Sequence, residues 1–386
     1  MNHLALSMLF RDTGKFFGII MGVMLASMVI TQQGSIFVGI MARTTSAITD
    51  MGWHDIWVMD PKVSFIDDTK PLQATALSRV RGVEGVAFAA PLYKGILRAR
   101  LDNGEFQNCV VMGLDDATLA GGPPEMIEGR LEDLRRADGV IVDQVGASTR
   151  LARRPATPGG RPVPLKVGDT MELNDKRGVV VGISRNTRPF QSQPIIYTTY
   201  GRATQFAPKE RKQLTFIIVK ANPGVSIDDL CRRIGTETGL AAYTQDQFRW
   251  KTIMHYIRNT GIPINFGIAV GLGLLIGTII TGFMFYSFTV DNLRYFGTLK
   301  AMGSSDGVLL RMILLQALTV GVIGFGLGTG AAAWFGNSMR GTPLAFFMTW
   351  QLLFVAGSAT VIICILAAML SMRKVMVLEP AIVFKG

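Results

Sequence analysis

Few residues in this 386-residue chain could do chemistry. Gly303-Ser304-Ser305-Asp306-Gly307 fits the G-x-S-x-G pattern, in which a serine on a sharp strand-to-helix turn acts as a nucleophile. That elbow needs a buried strand before it, and the preceding Leu299-Lys300-Ala301-Met302 has a helical composition. A hydrolase also needs a histidine, and His3, His54 and His255 are isolated in the sequence, each reading as an ordinary surface residue rather than a ligand. Neither G-x-x-x-x-G-K-[ST] nor H-E-x-x-H occurs, so the chain does not bind nucleotide through a P-loop. Cys109, Cys231 and Cys364 lack C-x-x-C or ligand spacing. Cys109 and Cys231 share one polar segment and could pair in an oxidising compartment, but two unpaired buried thiols are the favoured reading. No catalytic residue, metal or cofactor is expected on this chain.

The informative stretch is instead Asp291 to Arg311, DNLRYFGTLKAMGSSDGVLLR, caught between two long uncharged runs. No charge occurs from Asn259 through Val290, nor from Met312 through Met339. A hydrocarbon core is crossed by about 20 apolar residues of helix, so both flanks can span it and the stretch between is a loop. Arg294, Lys300 and Arg311 against Asp291 and Asp306 mark that loop as cytoplasmic under the positive-inside rule. Leu293, Phe296, Leu299 and Met302 recur at helical spacing, and Gly303 stops the helix. A short helix at the membrane face is a surface for another protein to push on. Its apolar side would press Phe296 into a groove on that partner, while Arg294 and Lys300 pair with acids there or with anionic headgroups.

These elements sit in a chain that is 49% hydrophobic and 17% charged, below the charge content of a soluble domain. The net charge of +11 is spread out rather than striped, which favours anionic lipid or an acidic partner over nucleic acid. The reading is a membrane protein with four transmembrane α-helices and a large extracytoplasmic α+β domain between helices one and two. Residues 1–42 form an amphipathic helix and the first span. The uncharged run from Phe16 to Ala42 is too long for the apolar core of a signal peptide. Residues 43–244 are the outer α+β domain, with short β-branched runs such as Ile56–Met59, Gly85–Ala89, Ile96–Leu101 and Leu214–Lys220. A helix-then-strand pattern at 73–89 and again from 226 hints at two related β–α–β modules. Residues 245–290 are a stalk helix running into the second span, with Pro263 as a kink. There follow the cytoplasmic loop 291–307, a third span 308–336, a short outer loop 337–346, a fourth span 347–372 and a cytoplasmic tail 373–386. The long runs between the span ends carry no charge, which argues against a proton or ion relay through the bilayer and leaves transport dependent on a partner's energy. Gly18/Gly22, Gly267/Gly271 and Gly324/Gly328 repeat a small-xxx-small spacing that lets helices pack closely.

Two stretches carry a family resemblance: FGTLKAMGSSDGVLLRMILLQA (296–317) and the tail VLEPAIVFKG (377–386). With EGRLEDLRRADGVIVDQ (128–144) and IIYTTYGRATQF (195–206) in the outer domain, the whole chain resembles the MacB/FtsX class of ABC-transporter permease subunits, closest to the DevC-like exporter permeases. The resemblance implies a bacterial inner-membrane protein with its large domain in the periplasm, acting as a homodimer. Two copies of a separate ABC ATPase, carrying ATP and Mg, would dock on the loops through Leu293, Arg294, Phe296, Gly297, Leu299, Lys300, Met302 and Gly303. It further implies mechanotransmission, with a periplasmic membrane-fusion adaptor and an outer-membrane channel, to expel a lipid, glycolipid or other amphiphile. An FtsX-like role, signalling through the outer domain to a cell-wall hydrolase, is the alternative. Two departures stand out. Tyr295 and Phe296 occupy the place of an acid before the loop glycine, and Gln316 that of an acid in span three.

Overall fold

The computed structural model describes residues 2–153, 160–208 and 214–376, which form two units, Met41–Thr260 and Met1–Ile40 with the chain from Gly261 onward. The tail 377–386, and with it VLEPAIVFKG, lies outside the described residues. The chain opens with α1 (Asn2–Arg11) and α2 (Thr13–Thr44). Four helices among the described residues are long and apolar enough to cross a membrane, α2 being the first.

The outer unit begins with α3 (Ser46–Thr49), β1 (Ile56–Met59), α4 (Ala76–Arg81) and β2 (Val86–Arg100). It ends with β9 (Phe216–Ala221), α7 (Ile227–Thr238), β10 (Ala241–Thr244) and α8 (Gln245–Asn259). The strand order β10-β1-β9-β2 is antiparallel throughout. α4 joins β1 to β2 and α7 joins β9 to β10, so two split βαβ units interleave in the ferredoxin-like way. These are the two helix-then-strand runs of the sequence. The apolar runs of β1 and β9 have a physical reason, since each strand is buried on both faces. Ile56, Val58, Ile217 and Val219 meet Val80 of α4 and Leu230 and Ile234 of α7. Trp57, Met59, Phe216 and Ile218 meet Phe248 of α8 on the other side.

Between β2 and β9 the chain builds a second lobe from β3 (Phe106–Leu114), β4 (Glu125–Glu128), β5 (Gly139–Asp143), β6 (Thr170–Leu173), β7 (Lys176–Arg185) and β8 (Ile195–Thr199), with α5 (Gln144–Ser148) and α6 (Tyr200–Phe206). β2 is the spine of both lobes. Its first half pairs with β9 and from Tyr93 onward it pairs with β3. The runs Gly85–Ala89 and Ile96–Leu101 are therefore one strand of 15 residues, not two. Pro91 interrupts it only where β2 has a neighbour on one side, as an edge strand tolerates. α8 also differs from expectation. Phe248, Thr252 and Tyr256 bury its inner face in the domain, so it is a packed element rather than a free stalk.

The membrane unit is completed by α9 (Ile262–Asp291), α10 (Leu293–Ala301), α11 (Asp306–Ser338) and α12 (Trp350–Met376). The helix expected to run unbroken into the second span ends at Asn259, and Pro263 falls in the first turn of α9, where its missing N–H removes no helical bond. Glycines set the helix spacing. A Cβ at Gly18 would meet Met284 Sδ at 3.2 Å and one at Gly22 would meet Ile280 at 2.9 Å, so α2 packs on α9. A Cβ at Gly324 would meet Val23 at 2.7 Å, and one at Gly328 would run into Ser27, so α2 packs on α11 as well. Ser27 Oγ donates across that contact to the Gly324 carbonyl at 3.2 Å. Gly267 and Gly271 depart from the expectation. A Cβ at either meets nothing within 4 Å, and α9 makes its close contacts in the chain through Gly273 and Gly277 instead. Their face continues into exposed Ile264, Ile268, Leu272 and Ile279.

Candidate coupling site on the membrane unit

α10 exists because both its ends are fixed. At its start Asn292 is buried and its side-chain amide donates to the Phe288 carbonyl at 2.8 Å, tying the turn to the end of α9. At its end Gly303 takes φ +92°, a conformation open to glycine at little cost. Gly303 N then donates to Lys300 O at 3.1 Å and Ser304 N to Leu299 O at 3.0 Å, the paired bonds of a Schellman stop. Lys300 Nζ spans the turn to Asp306 at 3.2 Å, so Lys300 is engaged within the chain rather than held out for a partner's acid.

The face of α10 is where sequence reasoning needs correcting. Phe296 is 0% exposed, and with Leu299 it joins a cluster containing Ala5 and Leu9 of α1, Phe288 of α9 and Met312 of α11. Gly297 is buried beside them. Phe296 and Leu299 therefore fasten the helix to its own bundle and cannot enter a groove on another protein. The opposite side carries Arg294, Tyr295, Thr298 and Met302, with Tyr295 52% and Met302 70% exposed. Leu293 is half-buried at the margin. Arg294 has no side-chain partner among the described residues.

Opposite that open side stands α1, the amphipathic helix expected before the first span, for which sequence reasoning offered no role here. Ala5, Met8 and Leu9 turn into the bundle, while Leu4 and Phe10 stay exposed. Gln316, 1% exposed in α11, donates its amide to the Ala5 carbonyl at 2.7 Å. Asp12 accepts from Lys15 N at 3.3 Å in the first turn of α2, and the Lys15 ammonium pairs with Asp291 at the end of α9. α1 and α10 thus enclose a groove of about 770 Å³, lined by Leu4, Ser7, Arg11 and Thr13 on one wall and Tyr295, Thr298 and Met302 on the other. Arg11 beside Asp12, at the junction of an amphipathic helix and a span, was the sequence signal for that wall.

The groups that could have carried catalysis are dispersed. Ser305 precedes α11 and follows a helix and its glycine stop, so the strand a nucleophile elbow requires is missing. His3 is exposed. His54 is buried, against expectation. Its Nδ1 lies 3.1 Å from the Gly52 carbonyl, its ring sits edge-on to Trp57, and burial holds its pKa below the usual value. His255 stacks on Phe65 at 4.2 Å. Cys109, Cys231 and Cys364 are free and buried, and no group of three metal-ligating side chains gathers among the described residues.

Comparison with known proteins agrees with this division. The model of the MacB-like periplasmic core domain matches residues 16–236, and that of the FtsX-like permease C-terminal region matches residues 267–380. An uncharacterized ABC transporter permease of Mycobacterium tuberculosis, found in two strains, is 24% identical over 322 residues, covering 82% of this chain and 80% of the relative. Among solved structures, the periplasmic region of MacB from Actinobacillus actinomycetemcomitans aligns with 55% of this chain and 96% of its own, at 16% identity and a TM-score of 0.36. The extracellular domain of the noncanonic ABC-type transporter YknZ from Gram-positive bacteria aligns with 50% of this chain and 99% of its own, at 11% identity and a TM-score of 0.33. Four apolar helices, a mixed α/β domain between the first and second, and two family models that together cover most of the chain lead to one assignment. The chain belongs to the MacB/FtsX family of ABC-transporter permeases.

Proposed function

We propose that this permease is the membrane subunit of an inner-membrane exporter, and that a separate ATPase docks in the groove between α1 and α10. One observation carries the reading. α10 is welded to the bundle by Phe296 and Leu299, tied at its start to α9 by Asn292 and stopped at its end by Gly303, yet turns Tyr295, Thr298 and Met302 outward over a groove. A helix held this way transmits a push to the bundle instead of yielding to it. ATP and Mg belong to the ATPase, since this chain has no P-loop. Two copies of the permease, each with one ATPase, would work by mechanotransmission, moving the outer domains in the periplasm to expel a lipid or other amphiphile. A periplasmic adaptor and an outer-membrane channel would complete the route.

The test is co-purification of the cognate ATPase with the full-length permease. Tyr295→Asp and Met302→Asp, both on the open side, should insert and fold normally while losing the ATPase. Tyr295→Phe should retain it. If both aspartate variants keep the ATPase and permease-stimulated ATP hydrolysis, the groove is not the docking site.

A further inference from the structure

α8 carries a second apolar stripe in addition to the one it buries. A helix packed on one side of a domain needs a single stripe, and Phe248, Thr252 and Tyr256 already supply it. Trp250 and Met254 form another on a different side, with Lys251 and Arg258 at helical spacing beside them. Trp250 is 61% exposed and has no ring partner among the described residues. Facing this stripe, α7 presents Asp228, Cys231, Arg232 and Gly235, residues spaced for one helix face. β10, the edge strand at that end of the sheet, lies between the two helices, and the space they enclose is a groove of about 1130 Å³ with Ala241, Ala242 and Tyr243 in its lining.

The polar groups of the groove show what it is short of. Asp228 accepts from Gln247 at 3.0 Å and Arg232 is ion-paired with Asp229. Lys251 donates to the Tyr243 hydroxyl at 3.0 Å and lies 4.4 Å from the ring centroid. Arg258 has no partner among the described residues. Cations therefore outnumber acids in the lining, and the rest of it is largely apolar. Exposed tryptophan with lysine and arginine around an apolar surface is the composition of the headgroup level of a membrane. Arg258 and Asn259 also immediately precede in the chain the apolar helix that begins at Ile262. A soluble anion would use the cations but leave Trp250 and Met254 in water. A neutral apolar ligand would leave Arg258 unanswered.

We infer that this groove binds one anionic lipid, its acyl chain along Trp250 and Met254 and its acidic headgroup against Arg258 and Lys251. The site belongs to the outer domain and does not depend on where an ATPase docks. The experiment places full-length permease in phosphatidylcholine nanodiscs doped with phosphatidylglycerol that carries a diazirine on its acyl chain, followed by photolabelling and peptide mapping. Peptides from the spans serve as the internal standard. The segment 241–259 should be labelled with phosphatidylglycerol and spared when the diazirine is on phosphatidylcholine. Arg258→Gln should reduce its labelling about fivefold and Lys251→Gln with Arg258→Gln about twenty-fivefold, at roughly a factor of five per cation. Trp250→Ala should reduce it with no change in the unfolding of the protein. Label confined to the spans would overturn the inference, as would equal labelling by the two lipids or indifference to Arg258→Gln. Competition by inorganic phosphate alone would assign the groove to a soluble anion and also refute a lipid site.

Discussion

Replacing Gly328 by alanine tests whether glycine sets the distance between α2 and α11. The new Cβ would run into Ser27 Oγ and would stand 2.5 Å from the Met24 carbonyl oxygen and 2.9 Å from the Met28 nitrogen. Two of those atoms are helix backbone, so no rotamer change relieves them. Overpacking of this kind costs about 1–3 kcal/mol. Alanine also raises helix propensity over glycine by about 1 kcal/mol, which would mask part of that cost. Gly326 and Gly330 supply the control, because they lie on the same helix and a Cβ at either meets nothing within 4 Å. The propensity gain is common to all three variants and cancels in the comparison. Gly328→Ala should therefore be less stable than Gly326→Ala or Gly330→Ala by about 1–3 kcal/mol, measured by reversible unfolding in mixed micelles. If Gly328→Ala unfolds with its two neighbours, α2 and α11 do not approach as described.

Burial pushes the Cys109 thiol up to about 12 and that of Cys231 to about 11, so neither should react with iodoacetamide near pH 8 until the protein is unfolded. Asp143 is held above the usual carboxylate range by burial, although Gly146 N and Ile195 N each donate to it at 2.7 Å. A raised native pKa means that its contribution to stability is complete below the ordinary carboxylate value and is lost as pH rises through the raised one; Asp143→Asn should flatten that slope in pH-dependent denaturation. Cysteine at Lys176, exposed in the outer domain, should react with an impermeant maleimide added to spheroplasts, and cysteine at Ser304 only after permeabilisation; the reverse pattern would invert the topology. Gln316→Met keeps the volume but removes the donor to Ala5, so it should cost about 1 kcal/mol and lower ATPase co-purification with α10 still folded.

The spans were legible because hydrocarbon admits one solution. A run of chain that carries no charge and must satisfy its backbone internally is a helix. The paired strands IWVM and FIIV were legible for a similar reason, since a strand buried on both faces has no polar position to disguise it. β4 escaped notice because EMIE is a polar edge strand, exposed or half-buried at every position. AAYT of β10 is half-buried throughout and separated from α7 by only two residues, too short and too bland to stand out. At α10 the spacing grouped Leu293, Phe296, Leu299 and Met302 on one face. The first three do pack on one cluster, but the helix ends at Ala301 and Met302, just beyond it, stands 70% exposed on the other side. Periodicity fixes which residues share a face but not what the face meets. Two apolar surfaces competed for Phe296, a partner's groove and the chain's own bundle, and the bundle is covalently present. What remained for a partner was the mixed side, Tyr295, Thr298 and Met302, which holds a phenol and a hydroxyl and so does not read as an apolar stripe.

Gln316 shows how a departure from an expected residue type can carry structure. An acid at this depth, ionised, would set carboxylate oxygens against the Ala5 carbonyl, with no donor between them. An amide instead places an N–H there, at 2.7 Å. That one bond joins α11 to α1 at the level where Ala5 and Leu9 enter the bundle. α1 then supplies the second wall of the groove beside α10. The neutral side chain therefore has two consequences. It removes a charge from the membrane unit, and it fixes the N-terminal helix where it shapes the surface beside the loop. The acid missing before Gly297 follows the same logic, because the buried Phe296 at that place holds α10 through packing alone. In this permease α10 is held by the apolar contacts of Phe296 and Leu299 and tied at its start by the Asn292 amide, while Lys300 with Asp306 and Lys15 with Asp291 pair across the turns at either end.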